Sequence, residues 1–177
     1  MGQLQWYHII FNTLGSWLPG DPRGFRNRDH RIHSSGDYRN PPPKGEHEGL
    51  YRYNRNRSRA CVEIPLSLRS LICDSVREFC GRRSIRVLAV SVSDHHVHLH
   101  LQLTNEYTEV KAIIGKCKTI ASLAVRDQLP GSIWSRGCDI NTIGDASYQR
   151  NVFHYITEGQ EKGAYVWDYK SGGRFMK

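Results

Sequence analysis

The chain has 177 residues, about one domain's length, with 25 Lys and Arg against 17 Asp and Glu, a formal net charge of +8 with its nine histidines neutral. Apolar residues make up 38%, enough for a packed core, and no apolar run approaches the roughly 20 residues that cross a bilayer, which excludes a membrane-spanning protein. The five cysteines (61, 73, 80, 117 and 138) form no CxxC pair and the opening MGQLQWYHIIF has no charged n-region, so a disulfide framework, a cysteine zinc cluster and a signal peptide are excluded and a basic protein of the cytoplasm, with an anionic partner, is expected.

Residues 5–11 (QWYHIIF) are rich in aromatic and β-branched side chains and predict a first strand. Residues 13–60 follow with ten Lys or Arg against five Asp or Glu, whereas 61–103 and 104–177 carry only +1 and +2. This stretch contains Pro41, Pro42 and Pro43, shows no helical or strand period, and scatters Trp17, Phe25, Tyr38, Tyr51 and Tyr53 among its arginines. It predicts a long basic insertion in a single domain spanning 1–177. Arg52, Arg55 and Arg57 lie beside tyrosines there: guanidinium groups for phosphates and rings for bases, the pairing that holds single strands. The plainer alternative is a solvated, flexible insertion.

Pro65 opens a helix in which Leu68, Leu71, Ile72, Val76, Phe79 and Cys80 recur mostly three and four apart, and Gly81 ends it. Residues 84–93 (SIRVLAVSVS) predict an interior strand, Asp94 and His95 a turn, and residues 96–103 (HVHLHLQL) the next strand. Val110, Ile113, Ile114, Cys117 and Ala121 mark a second amphipathic helix closed by Pro130 and Gly131; residues 132–140 predict a fourth strand. A last helix starts near Asp145, a good N-cap residue, and runs through Tyr155 toward Gly159, leaving 164–177 as a short tail. The first six elements match the split βαβ, or ferredoxin-like, arrangement: an α+β fold with an antiparallel sheet and helices on one face. A C-terminal tyrosine-bearing helix and the long insertion are added to it.

The strand at 96–103 carries the chemistry. Its period of two sends Val97, Leu99, Leu101 and Leu103 to one face and His96, His98, His100 and Gln102 to the other. Same-face neighbours about 7 Å apart can share one divalent ion, and histidine is the commonest metal ligand. Alternatively the row is only a half-exposed polar face. In the last helix Tyr148 and Tyr155 share a stripe, with Glu158 and Gln160 near it. A carboxylate or amide there can complete a metal site begun by His96 and His98.

His96-Val97-His98 on a strand after a short polar turn, followed by a helix bearing Tyr155, resembles the HUH endonuclease superfamily, and within it the IS200/IS605-type single-tyrosine and REP-associated tyrosine transposases. The opening residues 7–11 and the segment 133–137 (IWSRG) are similar to that family as well. The resemblance covers residues 5 to about 160 apart from the insertion. It implies Tyr155 as nucleophile, Mg²⁺ or Mn²⁺ held by His96 and His98, and cleavage and strand transfer of single-stranded DNA through a 5′-phosphotyrosine. It also implies hairpin-bearing DNA as partner, a homodimer and a nucleoid-associated location. The family's third metal ligand is a Gln four residues after the tyrosine; here that position is Gly159. Gln160 fits by residue type and Glu158 by helix geometry. Lys111 and Lys118, seven apart on the second helix, are candidate phosphate contacts, or simply a solvated lysine face. Two other classes suit the same residues: a nucleic-acid-binding protein that has lost or repurposed catalysis, and a histidine-metal hydrolase of a small substrate.

Overall fold

The computed structural model describes residues 2–23, 34–36, 40, 42–58 and 61–177; Phe25 and Tyr38 of the basic stretch lie outside them. The described elements are, in chain order, β1 (Leu4–Asn12), α1 (Glu48–Arg57), α2 (Leu66–Arg82), β2 (Arg86–Val92), β3 (His96–Thr104), α3 (Tyr107–Val125), β4 (Asp139–Ile143), α4 (Ala146–Glu158), β5 (Tyr165–Asp168) and β6 (Gly172–Phe175). No helix among them is long and apolar enough to cross a membrane. The chain divides into two units, one of Met1–Asn12 with Glu63–Lys177 and one of Thr13–Val62.

The first unit is built on a six-stranded sheet in the order β4-β1-β3-β2-β5-β6, every neighbouring pair antiparallel. Its β4-β1-β3-β2 core is the strand order that two helical crossovers produce in the split βαβ arrangement. Alternation sorts the side chains: Tyr7, Ile9 and Phe11 of β1 and Val97, Leu99, Leu101 and Leu103 of β3 are buried on one face. That face is covered by α2, through buried Leu68, Ile72, Cys73, Val76 and Phe79, and by α3, through Val110, Ile114, Cys117 and Ala121. Leu71, on the apolar stripe read from sequence, instead stays 42% exposed.

The tyrosine helix α4 lies on the opposite face. Its Val152 and Ile156 pack with Ala89 of β2 and Ile143 of β4, joined by Trp6 of β1. Asp145 caps it, its carboxylate accepting from the Tyr148 backbone N–H at 2.8 Å.

Three elements differ from the sequence expectation. The fourth strand forms at Asp139–Ile143 rather than over 132–140, because Gly131 and Gly137 adopt φ of +95° and +96° and break the extended run. Between them Trp134 packs edge-on against Phe11 and its Nε1–H donates to the Lys118 carbonyl, fastening the segment to α3. Residues 164–177 are not a loose tail: β5 pairs with β2, and β6 with β5. The basic stretch contains α1, which has no buried residue and therefore no apolar period in the sequence.

Within the second unit α1 is held by its own surface pairs. Arg52 bridges Glu48 at 2.8 Å, and the guanidinium groups of Arg55 and Arg57 sit over the rings of Tyr51 and Tyr53 at 6.0 and 5.3 Å. Gly20, at φ +90°, lies so close to α1 that a Cβ there would come within 2.5 Å of the Tyr51 backbone nitrogen.

A chain ended at Lys162 loses β5 and β6, the fully buried Ala164 and Val166, and the partner of β2. We expect it to be destabilised by at least about 3 kcal/mol or not to fold, measured by urea denaturation beside the full chain; equal stability would show the last hairpin to be dispensable.

Candidate active site

The site is built where β3 and β1 present their second face to α4. Antiparallel pairing sets His8 opposite His100 and Ile10 opposite His98, so three imidazoles converge beneath the helix. His8 Nε2 and His98 Nδ1 lie 2.9 Å apart and share a hydrogen bond, with the two rings stacked at 5.2 Å. The ring of Tyr155 stands edge-on to both, 5.3 Å from His98 and 6.0 Å from His8. His96 meets His98 edge-on at 4.8 Å. His95 stays on the turn before β3, beside Asp94 at 3.9 Å.

Burial decides the charge of these rings. It lowers His8 to a pKa of about 4, and His100 likewise to about 4 with help from neighbouring His8. It drives His98 well below the ordinary histidine range, with His96 and His8 adding to the effect. His96 is also lowered by burial, against the opposing pull of Glu161, Asp94 and a hydrogen bond that its ring gives to Gln160. Neutral imidazole is the form that binds metal.

The end of α4 brings in the next donor. The helix stops at Glu158, with Gly159 as C-cap at φ −93° and ψ 13°, so Gln160 does not continue the helical rotation away from Tyr155. Its Nε2–H donates to the Tyr155 carbonyl at 2.8 Å, its Oε1 accepts from Ser91 Oγ at 3.0 Å, and it hydrogen-bonds His96. Glu158, favoured by ideal helix geometry, points elsewhere: it pairs with His154 at 3.2 Å, and both side chains are well exposed. Asp94, His96 and Glu161 each offer one ligand atom, all within 4.8 Å of one another. Neutral imidazole nitrogen with carboxylate and amide oxygen is a donor set that suits a hard or borderline divalent cation.

The candidate phosphate contacts separate. Lys118 is occupied within the fold: its Nζ donates to the carbonyls of Ser135 and Gly137 and lies 5.4 Å from the Phe11 ring, and burial lowers its pKa. Lys111 sits over the exposed Tyr107 ring at 5.3 Å. Arg52, Arg55 and Arg57 all project from α1 in the other unit.

Sequence reading missed His8, Ser91, Asp94 and Glu161 as parts of this cluster. The signal for His8 and Ser91 was present in strand alternation, which puts His8 on the Trp6 and Ile10 face and Ser91 two residues from Ala89. It becomes informative only once the strand pairing is known.

Three comparisons bear on the chain. The family model described as "Transposase IS200 like" matches residues 57–159, more than half of the chain, including His96, His98 and Tyr155. No curated protein matches it. Among solved structures it is similar to a REP-associated tyrosine transposase bound to a REP hairpin, at 13% identity and a TM-score of 0.45 over 86% of this chain and 64% of that one. It is also similar to a predicted transposase from Deinococcus radiodurans R1, at 15% identity and a TM-score of 0.42 over 88% and 91%. The chain thus spans just under two thirds of the length of the first of these structures.

His8 and His100 have folded pKa values of about 4, below the roughly 6.5 of an unfolded histidine. As pH falls below that value the unfolded chain takes up protons that the folded chain refuses. Stability is therefore complete above about pH 6.5 and is lost toward pH 4, by roughly 1.4 kcal/mol per pH unit for each histidine. Among the described residues neither ring nitrogen of the buried His100 has a hydrogen-bond partner, so His100→Leu should leave the neutral-pH stability unchanged or raised and make the acid loss shallower. Urea midpoints across this pH range check it; an unchanged slope would contradict the assignment.

Proposed function

The chain belongs to the IS200-like transposase family, and on that premise we propose that it cuts and rejoins single-stranded DNA through Tyr155. The observation that carries the reading is the meeting of His96, His98, Gln160 and the Tyr155 ring under one helix. Tyr155 Oη forms a bond to the scissile phosphorus while the bond from phosphorus to the 3′ oxygen breaks. The phenolic proton passes to solvent, and the departing oxygen takes one up to become a 3′-hydroxyl. The product is a 5′-phosphotyrosine. A phenol, with a pKa near 10, leaves far more readily than an aliphatic alcohol, so a second 3′-hydroxyl can reverse the step and join a new strand.

His96, His98 and Gln160 are the residues that would hold Mg²⁺ or Mn²⁺, with the carboxylates of Asp94 and Glu161 beside His96. The chemistry such an ion supplies when bound is polarisation of a phosphate oxygen and neutralisation of charge in the transition state. The chain's part is positional. The bond from Gln160 to the Tyr155 carbonyl ties a ligand to the nucleophile's own backbone, and burial of the imidazoles keeps their lone pairs unprotonated at neutral pH.

Arg52, Arg55 and Arg57 are proposed to hold the DNA backbone, including that of hairpin-forming strands. Because the rings of Tyr51 and Tyr53 already have guanidinium groups over them, this helix suits phosphate contact better than base stacking. Lys118 drops from the set, since its ammonium is engaged by two carbonyls.

Incubation of the full chain with hairpin-bearing single-stranded oligonucleotides and Mn²⁺ should give a covalent band that survives denaturing electrophoresis. We expect Tyr155→Phe to abolish it, His96→Ala or His98→Ala to reduce it by at least about 100-fold, Gln160→Ala by about 10–100-fold, and Glu158→Ala by no more than about twofold. Binding without an adduct would favour a nucleic-acid-binding protein; small-phosphoester turnover that survives Tyr155→Phe would favour a hydrolase.

In a separate salt titration of DNA binding, each of Arg52→Gln, Arg55→Gln and Arg57→Gln should lower the slope of log affinity against log salt by about 1. Unchanged slopes would remove α1 from the interface.

A further inference from the structure

His8 has no part in the reaction as set out above, yet from a neighbouring strand its side chain makes a buried hydrogen bond to the proposed metal ligand His98. It lies on β1, is 8% exposed, and reaches diagonally past its own register partner His100 to His98. Two imidazole nitrogens 2.9 Å apart require one N–H and one lone pair between them. If His8 donates, neutral His98 carries its own proton on Nε2 and has no nitrogen left to offer. If His98 Nδ1–H donates to His8 Nε2, the lone pair of His98 Nε2 is open. The two rings stack at 5.2 Å and the edge of Tyr155 packs against both.

We propose that His8 is a positioning residue: by accepting the Nδ1–H of His98 it holds that imidazole in the tautomer whose Nε2 can ligate a divalent cation. The inference rests on the reading of His98 as a ligand given above, and it deepens that reading by assigning the group that orients it. A metal-bound histidine commonly gives its other ring N–H to such a partner, and loss of the partner typically costs about 10–100-fold in metal affinity. Here the partner is a second neutral imidazole rather than a carboxylate. The choice suits a pocket already bordered by Tyr155 and His100, in which a buried charge would be costly.

The test uses the ring-nitrogen NMR spectrum of the ¹⁵N-labelled full chain at neutral pH without metal, for the wild type, His8→Gln and His8→Phe. His98 is expected to carry its proton on Nδ1 in the wild type and in His8→Gln, whose amide oxygen can accept the same bond. In His8→Phe it should shift toward the Nε2–H form. Calorimetric titration with Mn²⁺ should then show affinity lowered by about 10–100-fold in His8→Phe and by less than about threefold in His8→Gln. A wild-type His98 protonated on Nε2 overturns the proposal, whether or not either variant folds. So does a folded His8→Phe chain with wild-type tautomer and Mn²⁺ affinity, or a His8→Gln chain as impaired as His8→Phe. If the wild type has the Nδ1–H tautomer and binds Mn²⁺ but forms no covalent DNA adduct, the strand-cleavage reading fails while the assignment of His8 holds. An adduct-forming wild type with His98 protonated on Nε2 gives the reverse.

Discussion

A strand covered on both faces cannot leave its histidines in water, and β3 is such a strand. One face holds Val97, Leu99 and Leu101 against α2 and α3; the other holds His98 and His100 beneath α4, at 3% and 0% exposure. Desolvation then disfavours the imidazolium form, so the rings are neutral near pH 7 and their lone pairs are available to a cation. The same burial gives them few alternatives for hydrogen bonding. His98 finds His8, whereas both nitrogens of His100 go unpartnered among the described residues, a cost in stability of the kind often retained next to functional sites.

The end of α4 links that row of histidines to Tyr155. Because the helix stops at Glu158, Gln160 folds back onto the Tyr155 carbonyl, Ser91 and His96. A Cβ at Gly159 would lie 3.0 Å from the Tyr155 carbonyl oxygen and 3.2 Å from the tyrosine ring, so the residue that ends the helix also leaves space for the ring. The last hairpin adds a tether: Arg174 bridges Asp168 at 2.7 Å and donates to the Thr157 carbonyl at 3.1 Å, holding the final turn of α4 from outside the site. Tyrosine, amide arm and hairpin are therefore one mechanical unit.

The net charge is distributed on a different principle. Ten of the 25 arginines and lysines lie in residues 13–60, a stretch whose one described helix has no buried residue. Local pairs along the helix surface, each worth a few tenths of a kcal/mol, add to its contact with the 19–20 segment, where Asn54 Nδ2–H donates to the Pro19 carbonyl at 3.2 Å. Phosphate attraction depends on charge density far more than on a fixed constellation, so a surface of this kind can bind a backbone. The chemistry needs rigid packing, and that is provided only by the sheet unit.

Much of this was legible from residue order. Period-two alternation in HVHLHLQL separated the apolar face of β3 from its histidines, three- and four-residue spacing marked α2 and α3, and Asp145 marked the start of α4. These patterns are local consequences of backbone geometry, and the same local reading singled out the row of His96, His98 and His100, whereas Tyr155 stood out from Tyr148 only through the family resemblance. It failed wherever a contact between distant segments decided the outcome. Ideal rotation favoured Glu158 until the helix ended; residues 164–177 gave no hint of the β2 edge that makes them strands; α1 left no apolar trace because it buries nothing. Lys118 looked like a free cation until the 135–137 loop supplied carbonyls for it. The sequence by itself determined which residues share a face of each element. Only the tertiary structure decided which faces meet, because strand register and helix termination are set by packing between segments far apart in the chain, as when Trp6 of β1 pairs with Ile143 of β4, and it is there that His8, Ser91 and Gln160 join the site.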